Sequence, residues 1–77
     1  MLKSSSIRQQ RKLQKLLVEA RQRAGLTQVE VARRLKQPQS FVSKYESGDR
    51  NLGVVEFLAV AKALEADPVR VLRRVLA

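Results

Sequence analysis

The sequence contains no cysteine, no histidine and no tryptophan. Without cysteine there is no disulfide and no thiolate to serve as nucleophile or metal ligand. Without histidine the commonest general base and the commonest metal ligand are both missing. Aromatic residues make up 4% of a chain that is 44% hydrophobic, so the core is aliphatic and helices are favoured over strands. No apolar run approaches the ~18 residues of a membrane span, and Met1–Ser6 is not a secretory signal. The seven acidic residues are scattered, and neither a metal-ligand spacing nor a glycine-rich phosphate loop is present. These absences argue against an enzyme, a metal centre, a cofactor and a membrane protein. The expected location is the cytoplasm.

Positive charge is abundant. Lys and Arg number 16, and the formal net charge is +9. Residues 1–36 hold ten of these cations against two acids, whereas residues 37–53 are neutral and residues 54–77 carry +1. A positive field confined to one half suits an extended anionic partner, or it is simply a soluble basic surface. With 77 residues and neither internal repeats nor linkers, residues 1–77 make one domain near the lower size limit for independent folding.

The most organised stretch is Thr27–Gly48, TQVEVARRLKQPQSFVSKYESG. Thr27 and Glu30 have the spacing of a capping box, which starts a helix just after Thr27. Val31, Ala32 and Leu35 form its apolar stripe. Pro38 interrupts the helical pattern and opens a second short helix, with Val42 and Tyr45 inward and Gly48 at its end. Gln39, Ser40, Ser43 and Lys44 face outward. That row is a poor core face, but it offers the donors and acceptors that can read base edges.

On either side the pattern is also helical. Ser6 and Gln9 have capping-box spacing, predicting a long first helix from Ile7, with Leu13, Leu16, Leu17, Ala20 and Ala24 on one stripe and Gly25 ending it. Residues 1–12 are a basic extension, with a frayed start at 1–6 and either a phosphate-touching arm or a solvated helix end beyond it. Gly53 and Glu56 start a fourth helix whose Val54, Phe57, Leu58, Val60, Ala61 and Leu64 leave it apolar on most sides, predicting the buried centre of the domain. Asp67 and Pro68 cap a last helix to about Leu76. Its Val69, Val71, Leu72, Val75 and Leu76 exceed one stripe, so this helix either closes a small core or also meets a second subunit.

Gly25-Leu26-Thr27-Gln28, Val31-Ala32, Leu35, Gln39-Ser40, Val42-Ser43-Lys44-Tyr45-Glu46 and Gly48 stand in the order and spacing of a known signature, which continues through Glu56, Phe57, Val60–Leu64 and Asp67-Pro68. In these residues the chain resembles the lambda-repressor/Cro-like, or XRE-type, helix-turn-helix regulators. The resemblance covers roughly Leu16–Leu76 and implies an all-α, five-helix fold that binds double-stranded DNA, with the helix-turn-helix at residues 27–48. It implies base readout by Gln39, Ser40, Ser43 and Lys44. It places Gln28, Arg33, Arg34, Phe41, Arg50 and Asn51 nearest the DNA backbone. The Phe41 ring either packs near the turn at Pro38, the favoured reading, or touches a thymine methyl. The resemblance also implies that Gln28 braces the first residue of the reading helix, and that Arg21 and Glu46 form a structural pair with no DNA contact.

Two positions depart from the pattern. Lys36 and Glu65 stand where the family commonly has glycine, so a non-glycine residue at positive φ is expected at Lys36, and a different ending of the fourth helix at Glu65. The expected function is transcriptional regulation, as a repressor acting by operator occupancy and as a homodimer through the C-terminal helix, with no small-molecule effector. The alternative is a protein-bridging cofactor or an antitoxin-type module whose main contacts are with a partner protein.

Overall fold

In the computed structural model, which describes residues 4–77, the chain forms five helices and, among the described residues, no strand. They are α1 (Ser4–Arg23), α2 (Gln28–Leu35), α3 (Gln39–Ser47), α4 (Val54–Ala63) and α5 (Pro68–Leu76). No helix is long and apolar enough to cross a membrane among these residues.

The helix boundaries follow local chemistry. Thr27 Oγ1 accepts from Glu30 N at 3.1 Å, and Glu30 Oε1 accepts from Thr27 N at 2.9 Å, so the capping box is complete. The Thr27 N–H holds the Glu30 carboxyl below the usual carboxylate range. Asp67 Oδ1 accepts from Val69 N at 2.9 Å and from Arg70 N at 3.4 Å, with Pro68 in the first turn of α5. Gly25, at φ +73°, ends α1.

Helix α1 begins earlier than its spacing predicts. Ser4–Ser6 are already helical, so Ser6 is inside the helix and caps nothing. No glycine or proline separates Ser4 from Leu13, and nothing there stops the helix from running on. The expected fraying concerned residues 1–6, of which 1–3 lie outside the described residues. At the other end Ala24 belongs to the turn and is exposed, so the apolar stripe stops at Ala20.

Lys36 sits at φ +55° and Glu65 at φ +57°, the two left-handed non-glycine residues among those described. Each closes a helix in the manner glycine usually does. Gln37 N donates to Ala32 O at 3.0 Å, and Ala66 N donates to Ala61 O at 2.8 Å. Holding a side chain in this conformation costs roughly 1 kcal/mol. Lys36→Gly is therefore expected to raise the melting midpoint by a few degrees, the shift about 0.5–1 kcal/mol gives in a domain this small. A lower midpoint in thermal unfolding would show that Lys36 carries no strain.

The core gathers Leu17, Val31, Val42, Tyr45, Phe57, Val60 and Leu64, contributed by the first four helices and the turn after α4. α4 departs from the expected buried centre. Phe57, Val60, Ala61 and Ala63 are buried, but Val54 and Val55 are 77% and 78% exposed and Leu58 is 47% exposed. α2 and α5 pack against α4, and the start of the helix stays uncovered. α5 has no fully buried residue: Val71 and Val75 are half-buried, while Val69, Leu72 and Leu76 face solvent. Closing the core therefore does not use up its apolar surface.

Candidate nucleic-acid interface

α2 and α3 pack directly on each other across the Lys36–Pro38 turn. The short apolar faces of Val31 and Ala32 on α2 and of Val42 and Tyr45 on α3 are buried, which forces the polar residues of α3 outward. Gln39, Ser40 and Lys44 are exposed and Ser43 is half-buried, so all four sequence-identified readers lie on the outer part of one helix. The Tyr45 hydroxyl is buried without a hydrogen-bond partner, and burial pushes the phenol far above its usual range.

A chain of directed hydrogen bonds joins the interior to the first residue of α3. Arg21 Nε donates to Glu46 Oε2 at 2.8 Å, Arg21 Nη2 to Glu46 Oε1 at 3.3 Å, and Arg21 Nη1 to the Leu26 carbonyl at 2.9 Å. Gln28 Nε2 donates to Glu46 Oε1 at 2.8 Å, and Gln39 Nε2 donates to Gln28 Oε1 at 2.7 Å. Each step fixes the next. A carboxylate only accepts, so Gln28 must turn its NH2 group toward Glu46 and its carbonyl toward Gln39. Gln39 must then offer its own NH2 group to Gln28. One N–H and the carbonyl of Gln39 stay free, the pair that adenine N7 and N6 require. The sequence suggested that Gln28 braces Gln39; that Gln28 also bonds Glu46, joining the brace to the Arg21 pair, was not legible in it.

The predicted backbone contacts divide. Arg33 is exposed and has no ion-pair partner among the described residues. Arg34, also read from sequence as a phosphate contact, is half-exposed and engages one nitrogen within the domain. Its Nη1 donates to the Ala63 carbonyl at 2.8 Å and to Glu65 Oε2 at 3.0 Å, fastening α2 to the end of α4. Arg50 lies 5.0 Å from the centre of the Phe41 ring and pairs with Glu56. Phe41 is half-buried and meets Tyr45 edge-on, with ring centres 5.7 Å apart. The ring thus packs on Tyr45 and supports Arg50 by a cation–π contact. The Gly53 N–H and Arg50 hold the Glu56 carboxyl below its usual range, the backbone donor foremost. Asn51, in the same loop, is exposed. No group of acidic side chains could hold a metal ion among the described residues.

The arrangement offers a protruding row of neutral and cationic donors, with an amide of fixed polarity at its head. A family model described as "Helix-turn-helix" matches residues 17–70. An XRE-family like protein from Pseudomonas syringae pv. tomato str. DC3000 is 45% identical, over 87% of this chain and 82% of that one, with a TM-score of 0.84. The restriction-modification controller protein C.AhdI from Aeromonas hydrophila is 32% identical, over 80% of this chain and 94% of that one, with a TM-score of 0.73. The clp gene regulator ClgR from C. glutamicum, at 24% identity, shares the fold over 88% of both chains with a TM-score of 0.80. No curated protein matches the chain significantly.

Proposed function

Since the chain belongs to the XRE-type helix-turn-helix family of DNA-binding transcription regulators, we propose that it is an operator-binding repressor whose α3 enters the major groove. The observation that carries this reading is the row Gln39, Ser40, Ser43 and Lys44, projected from α3 and headed by an amide whose polarity the interior sets. A bridging module has no need of such a row. Arg33 on α2, with Arg50 and Asn51 in the loop after α3, would then lie along the phosphates. Regulation would follow from occupancy, the bound domain excluding polymerase.

One domain reads only a few base pairs, so useful specificity calls for two. The exposed Val69, Leu72 and Leu76 of α5 supply an apolar surface for a second copy. Two α3 helices about 34 Å apart would meet successive major grooves on one side of the duplex. Selection from a random duplex pool is expected to enrich a palindrome, and light scattering of the complex to show two chains per duplex. A monomeric complex on one half-site would overturn the dimer. No enrichment at all would overturn sequence reading and favour a bridging role.

A further inference from the structure

The first turns of α1 lie outside the helix-turn-helix, yet the fold sets them against its far end. Gln10, Arg11 and Gln14 form one wall of a groove of about 320 Å³, with Gly48 and Asn51 opposite. The approach is close. A Cβ at Gly48 would lie 3.2 Å from the Gln14 amide, so the missing side chain lets α1 come up to the turn after α3. Gly48 also sits at φ +90°, where a side chain is strained in any case.

The groove is rich in donors: amides from Gln10, Gln14 and Asn51, and the guanidinium of Arg11. Arg11 has no ion-pair partner among the described residues, and the first turn of α1 holds no acid. Its cationic neighbours point elsewhere. Lys12 Nζ donates to the Ala77 carbonyl at 3.0 Å, at the end of α5. Arg8 and Lys15 are exposed and do not line the groove. Arg11 is thus the one cation of this helix that shares a groove with the loop following α3. Guanidinium and amide donors converging beside a reading helix are a usual means of holding nucleic-acid phosphate.

We infer that Arg11, with Gln10 and Gln14, holds a DNA backbone phosphate next to the loop of Arg50 and Asn51. The footprint would then extend outward past the base pairs under α3. This inference rests on the reading that α3 lies in the major groove. It gives the basic start of α1 a definite role, as a rigid helical contact in place of a loose arm.

The test compares Arg11→Gln with Lys15→Gln, which removes the same charge outside the groove. Each is titrated on a duplex selected with the wild type, on a random duplex, and on the selected duplex trimmed at the ends of the half-sites. Arg11→Gln should weaken the first two equally and flatten the salt dependence by about 0.9 in log–log slope. Its deficit against wild type should then shrink about 3.5-fold between 50 and 200 mM salt. On the trimmed duplex it should match wild type. Lys15→Gln should keep the wild-type slope throughout. Equal slopes for the two variants, with wild type still preferring its selected duplex, would overturn the Arg11 site alone. A wild type with no preference would overturn the operator reading and this inference together.

Discussion

Glu46→Ala is expected to lower the melting midpoint by more than 10 °C. The Arg21 and Glu46 side chains are only 16% and 7% exposed, and Glu46 accepts from Arg21 Nε and Nη2 and from Gln28 Nε2. Removing it leaves a largely buried guanidinium with the Leu26 carbonyl as its remaining acceptor, and an amide without its partner. Breaking a buried pair in this way costs about 3–5 kcal/mol, and the residual exposure argues for the lower figure. In a domain of this size each kcal/mol moves the midpoint by about 4–8 °C. Glu46→Gln, which keeps the shape but loses the charge, should fall between wild type and the alanine variant. Thermal unfolding followed by circular dichroism measures all three. An unchanged midpoint for Glu46→Ala would mean that the pair contributes nothing to folding.

The second large effect is expected in DNA discrimination, and it separates α3 from α2. Losing a base contact costs about 1–3 kcal/mol, or roughly 5- to 150-fold, at one position of the site. Gln39→Ala and Lys44→Ala should each narrow the affinity ratio between operator and random duplex by a factor in that range. Arg33→Ala should lower both affinities together, preserve the ratio and reduce the salt slope by about one. Arg34→Ala should do the same and should also lower the melting midpoint, because Arg34 Nη1 donates to Ala63 and Glu65. If Gln39→Ala and Lys44→Ala leave the ratio unchanged, α3 is not the reader and the bridging alternative gains.

What could be read from the sequence was whatever depends on a few neighbouring residues. Thr27 with Glu30, and Asp67 with Pro68, define their helix starts within one turn, and both caps form. Lys36 could be placed in the left-handed region because a turn that commonly uses glycine had to be made without one. The spacing of Ser6 and Gln9 misled, since a capping pair has no force where the helix can continue past it. The uncovered side of α4 was hidden for another reason: periodicity counts apolar residues but not the elements available to cover them. The bonds from Arg34 to Ala63 and Glu65 could not be foreseen, because those partners lie 29 and 31 residues away, at the end of a helix whose direction no local pattern supplies. The link from Gln28 to Glu46 spans 18 residues and was invisible for the same reason.

The directed bonds from Arg21 to Gln39 also decide when conformational freedom is lost. A free glutamine side chain would have to give up its rotamers on meeting a base, at about 0.5–1.5 kcal/mol. Here Gln39 is held by Gln28, so much of that entropy is surrendered as the chain folds. Association with DNA is favoured by the difference, and the Gln28 bonds to Glu46 and Gln39 offset the entropy given up on folding. Gln28 thus serves folding and binding at once. Shortening it should release Gln39, weaken capture of the right base and take one donor from Glu46.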